Sequence, residues 1–376
     1  MSTSSTQVRL AILDDYHGIA PSKFAHLEPR ISITSYPDTL DTRDPAQKQE
    51  LIKRLQPYTI ISTMRERTPF PADVVSALPN LKLLLTTGTR NLALDLNAFA
   101  ERGVTVAGTT GRGAQHRQLE QLPSPSSTVQ HAWALILGLA RNLARDDASV
   151  KSGGWQTSLA TDLAGKTLAL LGLGKLGTAV AKIGVLAFNM KIKAWSTSLT
   201  QETADEKATS LGLPPGTFEV VDSKEQLFRE ADVLSVHYVL SERSRGIVGE
   251  KEFAVMKPTA LFVNTSRGPL VDERALLDVL KKGKIRGAAL DVYDTEPLPQ
   301  ESEWRTTPWG KDGRSEVLLT PHMGYCEEGI MNRWYEEQAE NVERWLAGKE
   351  VEAKLKPAHP ACLQTQRGDA VRWTGS

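Results

Sequence analysis

Short apolar runs recur along the chain, spaced so that a helix fits between them. Val8 to Leu13 is apolar and ends in Asp14 and Asp15, and Tyr58 to Thr63, Leu81 to Thr86 and Val104 to Ala107 repeat the pattern. Runs this short, bounded by polar residues, predict buried strands. Ala72 to Leu78 and Leu94 to Ala100 lie between them and are helix-like. Alternation of strand and helix predicts a parallel sheet.

From Gly111 to Ser127 (GRGAQHRQLEQLPSPSS) the apolar period disappears, which predicts an exposed loop or hinge. Thr128 to Leu143 then places apolar side chains on a broad helical face, as a buried helix linking two domains would. His131 and Arg141 leave it too short to span a bilayer. A second alternation follows, with strands expected at Thr167–Leu171, Lys191–Trp195, Val233–Val236, Ala260–Val263 and Gly287–Leu290. The expected fold is therefore α/β, with two Rossmann-like doubly wound parallel-sheet domains. An amphipathic helix is expected from about Glu328 to Leu346, and residues 351–376 form a polar tail.

Composition narrows the field mainly by exclusion. A chain of 376 residues favours two domains with substantial cores. Lys plus Arg equals Asp plus Glu at 45 each, which removes any overall electrostatic argument for nucleic acid or an anionic membrane as partner. The N-terminus lacks a charged region followed by a long apolar core, so no secretory signal is expected. Cys326 and Cys362 are the two cysteines, too few for a disulfide scaffold or a four-cysteine metal site. The expectation is a cytoplasmic protein without a metal.

The strand-like Thr167–Leu171 runs into Gly172-Leu173-Gly174-Lys175-Leu176-Gly177, and Val180, Ile183 and Ala187 continue with helical spacing. A bare glycine motif is weak evidence, but at a strand-to-helix turn it lets backbone approach a pyrophosphate beside free N–H groups. Dinucleotide binding is the stronger reading over an empty tight turn. About twenty residues on, an acidic residue usually meets the adenosine ribose. Here Ser196 holds that place in Trp195-Ser196-Thr197-Ser198, and no Arg follows in the loop. NAD and NADP both remain open.

Three further strand ends carry chemistry. Leu261 to Arg267 (LFVNTSR) places Arg267 at a sheet edge, Ala288 to Glu296 (AALDVYDTE) brings Asp291 and Glu296, and Leu318 to Tyr325 (LLTPHMGY) delivers His322. Ligands bind at that edge of such sheets. An arginine can bind a carboxylate and polarise the neighbouring carbonyl, a histidine can protonate the resulting oxygen, and a glutamate can orient the histidine. These three suffice for reducing a 2-oxo acid.

With those residues in view, the sequence resembles the D-isomer-specific 2-hydroxyacid dehydrogenase family through GLGKLG, VNTSRGPLVDE, AALDVYDTEPLP and TPHMGY, in the family's order. Weaker similarity extends over about residues 7 to 350, through ILDDY, LKLLLTTGTRNLALD and SVHYVLSERSRGIVG. The resemblance implies an NAD- or NADP-dependent oxidoreductase of the glyoxylate or hydroxypyruvate reductase type, interconverting a D-2-hydroxy acid and a 2-oxo acid. It implies Arg267 as substrate-binding and electrophilic, His322 as the acid/base, Glu296 as its partner, and Asp291 near the nicotinamide carboxamide. Gly88 and Thr89 in TTGTRN resemble a loop whose backbone amides face the substrate carboxylate, with Arg65 and Arg90 as lesser candidates. The family's topology implies a substrate domain of residues 1–129 completed by 325–350, a dinucleotide domain of 130–324, an active site in the cleft between them, and a homodimer.

The sequence departs from the family at Gln130, where Glu is usual, at Val239, where Pro is common, and in insertions at Gly111–Ser127 and Gln300–Arg314. No expected catalytic residue is lost. Taken singly, Arg267, Glu296 and His322 each have a bland explanation as a salt-bridge residue, a turn carboxylate and a loop histidine; together they do not. His237 also ends a strand and ranks second as acid/base. Thr265 and Ser266 fit equally a structural turn and a cofactor contact, and Cys326, Trp195, Trp304 and Trp309 are expected to pack. The alternative to an enzyme is a dinucleotide-sensing corepressor or binding protein of the same fold. A formate dehydrogenase would pair Gln with its histidine, where this chain has Glu296.

Overall fold

A computed structural model of the chain describes residues 7–111 and 126–357. Nearly all of the loop or hinge expected at 111–127 lies outside the described residues, as does the chain beyond 357. The described residues fall into two compact units, one drawn from Met1–Arg117 and Glu328–Ser376, the other from Gln118–Glu327.

The first unit is built on β1 (Val8–Leu13), β2 (Ile31–Tyr36), β3 (Ile60–Thr63), β4 (Leu83–Thr86) and β5 (Thr105–Ala107), in the order β2-β1-β3-β4-β5. Every pairing is parallel. β3 and β4 are buried at every position, the pattern of central strands covered on both faces. β2 does not show in the apolar pattern because it is an edge strand, ISITSY, with Ile31 its one fully buried position. The strand order reverses between β1 and β3, so Asp14 and Arg65 emerge beside the switch point.

Helix Glu328–Leu346, as expected from its amphipathic pattern, completes this unit by burying Met331, Trp334, Tyr335 and Gln338. Ser62 Oγ donates to Gln338 Oε1 at 2.5 Å and Lys23 pairs with Glu336. The chain then returns to the sheet: Leu355 N–H donates to Val106 O at 2.9 Å, and Gly108 N–H to Ala353 O at 2.9 Å. Lys354 thereby bridges Ala107 in antiparallel sense. The stretch after 351 is thus partly sheet-bound, and any polar tail starts beyond it.

The second unit contains β6 (Thr167–Leu171), β7 (Lys191–Trp195), β8 (Phe218–Val220), β9 (Val233–Val236), β10 (Leu261–Asn264), β11 (Gly287–Leu290) and β12 (Glu316–Leu319), in the order β12-β11-β10-β9-β6-β7-β8. All pairings are parallel. The order reverses between β6 and β9, the place where a doubly wound sheet opens a ligand crevice at its carboxyl edge. β8 is too short, at three residues, to give an apolar run of its own.

Helix Ser127–Ala140 lies wholly in this unit and buries Val129, Trp133, Ile136 and Leu139. It ends at Ala140 rather than Leu143 because Asn142 turns left-handed (φ 57°), a conformation asparagine tolerates, and a new helix starts at Leu143. The 300–314 insertion is packed structure. Trp304 is 2% exposed within the core cluster that includes Tyr293, and Trp309 Nε1 donates to Trp304 O at 3.0 Å. Among the described residues, no helix is long and apolar enough to cross a membrane.

Candidate active site

The glycine loop follows β6, at the switch point. Gly172 has φ 99°, and a Cβ there would lie 2.7 Å from His237 O, so glycine is what lets the loop after β6 pass this close to the end of β9. A Cβ on Gly177 would meet Gly172 O at 2.3 Å. Gly174 differs, since nothing lies within 4 Å of its Cβ position and the space in front of it is open. Gly174 also begins helix Lys175–Phe188, which no side chain caps, leaving the first-turn N–H groups of Lys175, Leu176 and Gly177 directed out of the helix. Open space before unbound N–H groups and a positive dipole end suits a pyrophosphate.

At the end of β7, Ser196 and Thr197 present hydroxyls where a carboxylate is usual, and Thr197 Oγ1 lies 3.0 Å from Tyr238 Oη. At the end of β10, Thr265 is 7% exposed and its hydroxyl is buried without a hydrogen-bond partner among the described residues. A buried orphan hydroxyl on the ligand edge of the sheet fits a group that arrives with the cofactor. Ser266 is used differently, donating from Oγ to Tyr238 O at 2.8 Å to fix the turn. His237 bonds Ser235 at 2.9 Å, and burial pushes its imidazole down to about 4, so it is neutral near pH 7 and poorly suited to deliver a proton.

Arg267, Glu296 and His322 leave from the neighbouring strands β10, β11 and β12. His322 Nδ1 lies 2.6 Å from Glu296 Oε2, while Glu296 Oε1 accepts the Tyr293 N–H at 2.9 Å. Each carboxylate oxygen is thus engaged, one by the imidazole and one by backbone, and Nε2 of the imidazole has no hydrogen bond among the described residues. Arg267 donates from Nη1 to Ser266 O at 2.8 Å and makes no ion pair among the described residues. Its loop packs on the Glu296 loop, for a Cβ on Gly268 would sit 2.1 Å from Tyr293 O. Glycine is therefore what lets these two loops touch.

Asp291 is 1% exposed and does something the sequence does not announce. Its Oδ1 accepts from Thr320 Oγ1 at 2.6 Å and Met323 N–H at 2.7 Å and lies 3.1 Å from His131 Nε2; its Oδ2 accepts the Gly324 N–H at 2.9 Å. Burial would raise this carboxyl, but those hydrogen bonds outweigh it and hold Asp291 below the usual carboxylate range. Its visible partners are therefore protein groups around His322. His131 and Thr320 were not among the residues singled out from sequence. The signal available was a histidine on the apolar face of a helix and a threonine two residues before His322, and neither is distinctive alone.

In the first unit, Gly88 (φ 85°) is buried, and its N–H donates to Thr109 Oγ1 at 2.8 Å. Of the two amides expected to face a carboxylate, that of Gly88 is thus already engaged, whereas Thr89 is exposed with no acceptor for its N–H among the described residues. Arg65, left-handed at φ 50°, extends its guanidinium over Gly88, to within 2.8 Å of where a Cβ would stand. Arg90 is exposed.

Residues 133–324 match the profile of the D-isomer specific 2-hydroxyacid dehydrogenase, NAD binding domain. The chain belongs to the D-isomer-specific 2-hydroxyacid dehydrogenase family. It is 33% identical over 285 residues to the hydroxypyruvate reductase of Thermotoga maritima, covering 75% of this chain and 83% of that one. It is 31% identical over 307 residues to the D-3-phosphoglycerate dehydrogenase of Methanocaldococcus jannaschii, covering 81% of this chain and 53% of the relative, so it spans about half the length of that protein. Among solved structures, the phosphoglycerate oxidoreductase of Vibrio cholerae O395 matches with a TM-score of 0.75 and 33% identity, over 91% of this chain and 99% of the other. The family and the two-sheet α/β fold expected from the sequence are both borne out, and a nicotinamide dinucleotide is the cofactor class of the matched domain.

Proposed function

We propose that the protein is an NAD(P)-dependent oxidoreductase interconverting a D-2-hydroxy acid and a 2-oxo acid, working as a reductase of glyoxylate- or hydroxypyruvate-like substrates. The observation that carries this reading is the Glu296–His322 pair at 2.6 Å, with the second oxygen of Glu296 tied to backbone. In this reading Gly174 and the first turn of helix Lys175–Phe188 hold the pyrophosphate, Ser196 faces the adenosine ribose, and Thr265 meets the nicotinamide side. When bound, the cofactor supplies or accepts the hydride. Arg267 takes the substrate carboxylate and draws electron density from the adjacent carbonyl. His322 donates its Nε2 proton to the carbonyl oxygen during reduction and removes it during oxidation, while Glu296 keeps the ring oriented and balances its positive charge. Within the first unit, the Thr89 amide and the Arg65 guanidinium are the candidate anion contacts. A cytoplasmic location and the lack of nucleic-acid or membrane partners complete the proposal, supported by the balanced charge and the two cysteines, together with the homodimer that the family resemblance implies.

The test is oxidation of NADH and of NADPH against a panel of 2-oxo acids, with Arg267→Ala and His322→Ala as controls. Turnover that falls by about 100-fold or more in both variants is expected. Tight dinucleotide binding without turnover of any acid by the wild type would overturn the enzyme reading in favour of a dinucleotide sensor.

A further inference from the structure

His322 is not in a relaxed conformation. Its φ is 56°, in the left-handed region that costs a residue with a side chain about 1 kcal/mol, so the turn that carries it must be held from outside. The turn's own resources are few: His322 N–H reaches Thr320 O at 3.1 Å, and Tyr325 touches the imidazole edge-on with ring centroids 5.6 Å apart. The two amides that follow His322, those of Met323 and Gly324, both donate to the Asp291 carboxylate, one to each oxygen. Thr320 Oγ1 donates to the same group from the other side of His322. The carboxylate therefore grips the turn both before and after the residue it presents.

A grip is only as firm as its anchor. The sheet holds the start of the turn, where Thr320 N–H donates to Leu290 O at 2.9 Å and Tyr293 Oη to Thr320 O at 3.0 Å, but the partners that the Asp291 carboxylate has in residues 320–324 belong to the turn itself. His131 is the exception among the described residues. It projects from helix Ser127–Ala140, a helix embedded in the core through Val129, Trp133 and Ile136, and its Nε2 lies 3.1 Å from Asp291 Oδ1 and 3.0 Å from Thr320 Oγ1. Since Thr320 Oγ1 donates its proton to Asp291, it can only accept from His131, so Nε2 of His131 carries a proton shared between the two oxygens. Gly324 approaches the same helix, with its Cβ position 3.5 Å from Thr128 Cγ2.

We propose that His131 is a positioning residue for the acid/base: it fixes the Asp291 carboxylate and the Thr320 hydroxyl to the helix framework and so locks the left-handed turn that aims His322. The effect on turnover rests on the functional reading above, whereas the effect on the turn does not. The experiment compares wild type with His131→Ala and His131→Gln, the second keeping a donor at nearly the same reach. Amide hydrogen exchange over residues 318–326 is followed by mass spectrometry, beside kcat, KM and the Kd for NADH. In His131→Ala, exchange at Met323 and Gly324 is expected to accelerate about 10-fold or more while β6 and β10 keep their protection. The same variant should lose about 10- to 100-fold in kcat with KM and Kd within about 3-fold, and His131→Gln should recover a substantial part of both losses. Wild-type exchange rates at these two amides in both variants would overturn the proposal. If the wild type reduces no acid, the functional reading fails, and the exchange measurement still decides whether His131 locks the turn.

Discussion

Asp14 illustrates how one residue can work against the fold that holds it. It follows β1 at φ 58° and is 1% exposed. Burial pushes its carboxyl up to about 6, although hydrogen bonds from Thr39 and Thr68 (the latter at 2.9 Å) and the charge of Arg67 act in the opposite direction. The folded protein thus binds this proton more tightly than the unfolded chain does. The group's contribution is most favourable below about pH 4, is lost as pH rises to about 6, and above that leaves a cost of about 2–3 kcal/mol. Asparagine keeps an acceptor oxygen, tolerates positive φ and carries no charge. Asp14→Asn is expected to raise the melting temperature at about pH 8, with the gain vanishing near pH 4. Equal destabilisation at both pH values would mean that the carboxylate is an asset in place.

Among the elements, the glycine loop separates two demands that a motif merges. Gly177 is required by the protein itself, because its Cβ would stand 2.3 Å from Gly172 O, whereas Gly174 faces open space at an ordinary φ of −79°. Gly174→Ala should therefore keep the melting temperature within about 2 °C and raise the Kd for NADH about 10-fold or more, while Gly177→Ala lowers the melting temperature by several degrees. Wild-type affinity in Gly174→Ala, measured by titration of cofactor fluorescence, would place the pyrophosphate elsewhere. The same scale shows what the sequence could reveal. β1, β6, β9 and β11 were legible to the residue as largely apolar runs ended by polar turns, and β7 (KIKAW) by its alternation of buried and more exposed positions. The edge strands β2 and β8 were not, since a strand with few fully buried positions needs no continuous apolar run. Glu296 and His322 could be singled out from sequence only together with Arg267, since each alone has a bland explanation, and the structure brings the first two within 2.6 Å. His131 could not be, because its meaning lies in contacts with Asp291 and Thr320, 160 and 189 residues away.

At the scale of the whole molecule, several apolar side chains of the second unit are exposed among the described residues. Helix Leu143–Lys151 buries none of its residues, and a nine-residue helix is marginal in water without packing. Leu143 and Val150 on it are 59% and 54% exposed, and the segment that follows adds Trp155 at 74% and Leu159 at 88%. Single exposed apolar residues are ordinary, but four between residues 143 and 159, beside a helix tied to the sheet by the Arg145–Glu316 pair, suit the contact surface of the proposed homodimer. A second copy is the simplest occupant for a family member proposed to act as a homodimer, because one face then satisfies both subunits. Light scattering after size exclusion is expected to give twice the mass of one chain. Trp155→Glu combined with Leu159→Glu should give a single-chain mass, with the circular dichroism of the wild type and a lower melting temperature, since the helix loses its cover. A wild type that remains a single chain at about 10 μM would overturn the assignment of this surface to a second copy.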